Sequence, residues 1–242
     1  MSDTESAKNA LAETMRTDIS AVVALRAANA RDPQMQESLH RLKSWQSQRL
    51  ARTYADLLAD RRYRPATTFF LADLYGAKDF RSRDEQLAKV VPLMCRMLPA
   101  EALRTIGAAV RLDLLSESLD CDMARAIGAG AIDEARYGAA YRAVGRRSDR
   151  ETQIALTAGI GEALEALTTS RSLRAALAVM RRPAKLGGLG VLQEFLEHGF
   201  DAYRNMGGAA RFLATVSGRE REIMRRLYAG DANPFERIAV PV

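Results

Sequence analysis

The sequence predicts an all-α fold: a single multi-helix bundle of about ten helices with a long N-terminal helical hairpin. Three observations predict it. Apolar residues recur three and four positions apart along most of the 242 residues, the spacing of one helix face. No stretch alternates apolar and polar residues with period two, as a half-buried strand would. Pro, Gly and short polar caps fall between the apolar stretches, where helices stop and start.

Leu11, Met15, Ile19, Val22, Val23 and Arg26 place the first helix at about Asp3 to Ala30. Asp32 and Pro33 open the second: a capping carboxylate, then a residue whose missing N–H is harmless at the first helical position. That helix runs through Leu39, Leu42, Trp45, Leu50, Tyr54 and Leu57 to about Asp60. The short break before it makes the pair an antiparallel hairpin. Pro65 opens a short apolar helix, Ala66 to Tyr75, and Gly76 closes it. Ser82 caps a helix to about Met97, which Pro92 should kink. A long helix follows from Leu98-Pro99 to Gly128, with Glu101 in its first turn. Asp133 starts a short helix carrying Tyr137 and Tyr141, closed by Gly145; Ser148 or Asp149 starts the next, and Ser170 another to about Arg182. Pro183 and the glycines of 187–190 interrupt the pattern. It resumes from Val191 to Met206, breaks at Gly207-Gly208, and runs from Ala209 to Tyr228. Residues 1–230 are thus expected to form one helical bundle domain. The tail, 231–242, has two prolines and no periodicity, and is expected to be disordered or draped on the surface.

Composition narrows the function classes. Hydrophobic residues make up 48% and charged residues 27%, ordinary for a soluble protein. The net charge is +6, but 36 basic residues are mixed with 30 acidic ones, which disfavours a continuous cationic face for nucleic acid. Nearly all the positive charge is Arg, with Lys only at 8, 43, 78, 89 and 185; GC-rich codon usage accounts for that. Met1 to Asn9 is polar and acidic, unlike a signal peptide. The apolar runs are far shorter than a membrane span. Cys95 and Cys121 sit in apolar helical patterns without CxxC spacing, and read as buried free thiols. A soluble cytoplasmic protein is expected.

The most specific stretch is 69–84, which holds three of the seven Phe, one Tyr, three Asp and two Arg. Phe69, Phe70, Leu74 and Phe80 read as core anchors, with Asp73 on the face of Phe69. Asp79, Arg83 and Asp84 fall at a turn and a helix start, where acids answer the free N–H groups. The preferred reading is a locked turn; the alternative is a ligand pocket faced by Phe70, Asp73, Tyr75, Asp79, Arg83 and Asp84. Arg81 and Asp84 also form the R-x-x-D string seen where some proteins contact cyclic dinucleotides. The residues Phe69, Phe70, Asp73, Leu74, Tyr75, Gly76, Asp79, Phe80, Arg83 and Asp84 resemble a pattern of uncharacterised bacterial all-helical proteins. The resemblance implies an all-helical bacterial family and no particular activity.

Other constellations point less far. Glu37 and His40 have the E-x-x-H spacing of di-iron bundles, but Glu194, Glu197 and His198 depart from it; no metal site and no cofactor is expected. No G-x-S-x-G is present. Glycines 187–190 lack the preceding strand of a phosphate loop. Asp113, Ser116, Glu117 and Asp120 repeat on one side of the long helix. They read as a solvated stripe opposite Leu112, Leu115 and Leu119, or as a polar groove shared with Arg111. The basic clusters at Arg146-Arg147-Arg150, Arg181-Arg182-Lys185 and Arg219-Arg221-Arg225-Arg226 are interleaved with acids that suit i, i+4 pairing.

The expected function is a non-catalytic binding or scaffold protein that recognises a protein partner or an apolar small molecule between its helices. The alternatives are a metal- or haem-containing helical enzyme and a nucleotide- or nucleic-acid-binding regulator. A homodimer through an exposed apolar face is left open. If 69–84 is a locked turn, Asp73→Ala and Arg83→Ala each lower the melting temperature markedly. A variant that keeps its melting temperature but loses a cellular phenotype assigns the residue to a pocket instead.

Overall fold

In the computed structural model, residues 3–71, 91, 100–168, 170, 175, 178–179, 181–182, 185, 187, 190–236 and 238 are described. Helix α1 spans Asp3–Ala30 and α2 Pro33–Thr53. The turn between them is set by Asp32, whose carboxylate accepts from the N–H groups of Gln34 and Met35 at 3.0 Å each, satisfying donors the first turn leaves free. Two short helices follow, α3 (Ala55–Ala59) and α4 (Arg64–Phe69), and then the long α5 (Ala100–Ile127). Helix α6 (Glu134–Val144) is capped by Asp133, which accepts from Arg136 N at 2.7 Å. Helix α7 covers Arg147–Thr168, α8 Gly190–Met206 and α9 Ala210–Ala229. Among the described residues there is no strand, and no helix is long and apolar enough to cross a membrane.

Helix α5 is the axis of the bundle: α1, α2, α6 and α7 all pack on it. Helix α9 packs on α6 and α7, and α8 on α4 and α7. Three apolar clusters result. One joins Tyr54, Tyr63, Phe69 and Phe70 to Tyr203, Met206, Phe212 and Val216 from α8 and α9. A second joins Leu39 and Leu42 of α2 to Met123, Tyr137, Tyr141, Met224 and Leu227. The third seats Ala12, Met15 and Ile19 of α1 against Val110 of α5 and Val91.

Several boundaries differ from the sequence reading. The second helix does not run to Asp60: it breaks at Tyr54, where φ and ψ are −112° and 22°. That residue is fully buried, and its hydroxyl donates to Glu220 of α9 at 2.7 Å. Tertiary packing thus sets a break that apolar periodicity cannot reveal. Helix α7 starts at Arg147, one residue early. The preceding Gly145 and Arg146 have φ of 65° and 55°, and Arg146 holds this left-handed conformation through Asp122 and Asp149, each at 2.7 Å. The described part of the tail is packed on the bundle. Phe235 meets Trp45 and Tyr137 edge-on at 5.6 and 5.9 Å, and Trp45 stacks on Tyr137 at 4.3 Å. The turn at Gly76, the Ser82 cap and the Pro92 kink lie outside the described residues, as do seven of the thirteen residues of the Ser170–Arg182 segment.

Helices α7, α8 and α9 meet closely at Gly161, where an added Cβ would lie 2.3 Å from Leu213 Cδ2 and 3.0 Å from the Tyr203 hydroxyl. At Gly159, two residues away, an added Cβ would meet nothing within 4 Å. Gly161→Val is therefore expected to destabilise by about 1–3 kcal/mol through overpacking. Gly159→Ala should stabilise by up to about 1 kcal/mol through helix propensity. Urea unfolding of the two variants checks the pair.

Candidate functional site

Between the first and second apolar clusters lies a cavity of about 120 Å3, walled by α1, α2, α5, α6, α7 and α9 and by Phe70 just past α4. A water takes roughly 10–15 Å3 of such space, so a small organic molecule fits. One wall is apolar: Leu50, Phe70, Leu213, Val216, Ile223, Met224 and Leu227. The other carries eight ionisable side chains: Arg26, Lys43, Arg49 and Arg150 against Asp113, Glu117, Asp120 and Glu220.

The acids come mainly from α5. Asp113, Ser116, Glu117 and Asp120 are three and four residues apart, so one helix face presents them all. That face points inward, not to solvent, which overturns the solvated-stripe reading. Charge from the neighbouring helices explains how. Arg26 of α1 donates to both oxygens of Asp113, at 2.8 and 3.0 Å, and to Glu117 at 3.3 Å. Lys43 of α2 reaches Glu117 at 2.8 Å, and Gln46 donates to Asp120 at 3.0 Å. Gln153 of α7 donates to Ser116 at 2.8 Å. Arg111 does not share this groove; it pairs with Asp18 at 3.2 Å on the α1 side.

Across the cavity, Arg49 donates to Glu220 at 2.6 Å. Burial works against the Arg49 charge, but Glu220, Tyr137 and Tyr54 together outweigh it and hold the pKa above the usual guanidinium value. Burial pushes the Asp120 carboxyl above the usual carboxylate range, partly offset by Lys43 and Gln46. Burial also raises the Tyr141 phenol.

Arg150 is the exception. It is 5% exposed and lies over the Tyr141 ring, 4.6 Å from its centroid. Among the described residues its Nε and Nη2 have no hydrogen-bond partner, as is also true of Arg49 Nε. Buried guanidinium donors are normally paired, because leaving them unpaired forfeits their hydration.

Of the residues singled out in 69–84, Phe70 lines the cavity; Asp73, Tyr75, Asp79, Arg83 and Asp84 lie outside the described residues. Most members of two basic clusters form pairs. Arg146 meets Asp122 and Asp149, Arg147 meets Glu151, Arg219 grips Asp56 through two bonds, and Arg225 and Arg226 share Glu222. His40 and His198 are exposed. Glu37 turns to Arg41, and Glu197 to Arg181. Among the described residues, no three His, Cys, Asp or Glu side chains come together as metal ligands would. Cys121 is buried and accepts from Asn29 Nδ2 at 3.1 Å, and burial raises its thiol pKa.

The sequence reading missed Lys43, Gln46, Arg49 and Arg150 as cavity residues. The signal was present: Leu42, Gln46 and Arg49 continue one face of α2, and Arg150 heads the α7 stripe of Ile154, Thr157, Gly161 and Leu164. A charged residue at an apolar-stripe position marks either a helix end or a buried polar site.

The model of a domain of unknown function (DUF8198) matches residues 25–234. The match covers most of the chain, and the chain belongs to that family. Every described cavity residue falls within the match. No curated protein and no solved structure matches the chain.

Glu117 is 4% exposed and answers two cations, so Glu117→Gln should cost about 3 kcal/mol, at the lower end for breaking a buried pair. Asp120→Asn should do the opposite. An unfolded Asp titrates near ~3.9, and folded Asp120 keeps its proton to higher pH. Wild-type stability therefore falls as pH rises from about 3.9 through the folded pKa, and above that the buried charge is a net cost. The Asn variant should be more stable than wild type at neutral pH, with the gap closing in acid. Denaturant unfolding across that pH range measures both.

Proposed function

We propose that this member of the DUF8198 family is a non-catalytic binding protein whose small-molecule ligand lodges in the cavity between α2, α5, α6, α7 and α9. The single observation behind this reading is the cavity's construction. Charges from five helices and the unpartnered donors of Arg150 meet around an open space at the centre of the bundle. A bundle selected for stability alone would fill such a space with apolar side chains, because a buried ion network seldom stabilises more than hydrophobic packing does. Ligand sites have this other composition: an apolar wall with a few convergent polar groups. The lining also shifts the expected ligand away from a purely apolar one. Such a ligand would leave the polar wall dry and unsatisfied.

Ala158 and Ser217 line the cavity, so Ala158→Leu and Ser217→Leu fill it without touching the ion network. Native mass spectrometry of the protein isolated without denaturation should show mass in excess of the bare chain. Either filled variant should lose that excess while remaining folded by circular dichroism. Equal native and denatured masses, with no thermal stabilisation by any member of a small-molecule library, would overturn the reading and favour a protein partner.

A further inference from the structure

We propose that Arg150 is the anchor for the carboxylate of a small monocarboxylate with an apolar aryl or branched aliphatic body. The inference rests on the cavity reading above and names the ligand class. The two orphaned atoms, Nε and Nη2, are the donors on one edge of the guanidinium. Their N–H bonds run parallel and match the two oxygens of a carboxylate. The ring of Tyr141 covers a face of the guanidinium at 4.6 Å, so the cation–π contact leaves that edge as the reactive side.

The other cations of the cavity are already committed. Arg26 meets Asp113 and Glu117, Lys43 meets Glu117, and Arg49 meets Glu220. Asp120 is engaged by Gln46 and forms no ion pair with Arg150 among the described residues. Among the described residues Arg150 is thus the cavity cation with no carboxylate at hydrogen-bonding distance, Asp120 acting on it only through space, and a ligand bearing one negative charge fits its open edge. A dianion such as phosphate would set a second charge beside Asp120, Glu117 and Glu220, and like charges at such distances repel. Beyond the anion, Val216, Ile223 and Leu227 offer apolar surface, which specifies the rest of the molecule.

Calorimetric titration of the full chain with benzoate, benzamide and inorganic phosphate tests the proposal. Benzoate should bind at least about tenfold more tightly than its neutral isostere benzamide, as expected when a hydrogen bond to a charged group is lost. Arg150→Lys keeps the charge but not the fork, and should weaken benzoate by about tenfold or more. Arg150→Met should abolish benzoate binding and raise the melting temperature of the ligand-free protein, since it removes an unpaired buried charge. A marked fall in that melting temperature would instead make Arg150 a structural residue and overturn the proposal. Equal binding of benzoate and benzamide, preference for phosphate, or benzoate binding unchanged in Arg150→Met would each overturn it as well. No binding of any probe would overturn it too. A neutral or cationic ligand found by native mass spectrometry, and lost in the filled variants, would sink the carboxylate while leaving the cavity reading intact.

Discussion

A carboxylate taken out of water must be met by cations or donors, and α5 carries three of them, Asp113, Glu117 and Asp120, into the bundle. That requirement organises the helices around it. Arg26 ties α1 to α5, Lys43 and Gln46 tie α2 to α5, and Gln153 ties α7 to the same stripe at Ser116. Glu220 of α9 makes the matching demand from the other side, and α2 answers it with Arg49 and Tyr54. Helix α2 therefore carries polar groups along an inward face that in a simpler bundle would be apolar. The gain is orientation: each charge has one geometry in which it is satisfied, so the helices have one register.

Set against this network, Arg150 is anomalous. It has the burial of its neighbours but, among the described residues, no carboxylate within hydrogen-bonding distance, and Asp120 attracts it only through space. Proteins retain locally unfavourable groups where function needs them, and the surrounding structure over-determines their position. Here Tyr141 below and the first turn of α7 hold the side chain in place. The contrast with Arg146, four residues earlier on the same turn of chain, is instructive. Arg146 is less buried yet meets Asp122, Asp149 and Ser118, and is plainly a structural brace.

The rest of the basic excess is largely consumed on the spot. Arg219 and Arg226 are largely covered where they meet Asp56 and Glu222, while Arg147 with Glu151 and Arg225 with Glu222 spread charge over helix surfaces as exposed pairs. Each such pair stabilises by only about 0–1 kcal/mol. Energetic weight lies with the apolar clusters and the central network, and the surface pairs chiefly set solubility.

The sequence by itself determined the fold class, most helix positions and the caps at Asp32 and Asp133. Periodicity, Asp32, Asp133, Gly145 and Gly207-Gly208 act locally, within a turn or two of the chain. It also singled out Phe70, one of the residues lining the cavity. Only the tertiary structure decided which way the α5 polar stripe faces, since Asp113, Glu117 and Asp120 have the same spacing whether they meet water or the cations of α1 and α2. It likewise decided that α2 breaks at Tyr54 and that Arg150 is buried. The reason is physical: a helix fixes which residues share a face, but what that face meets depends on residues far along the chain, 74 positions away for Lys43 and 91 for Arg26 at Glu117, and charge pairing at that range leaves no periodic trace in the chain.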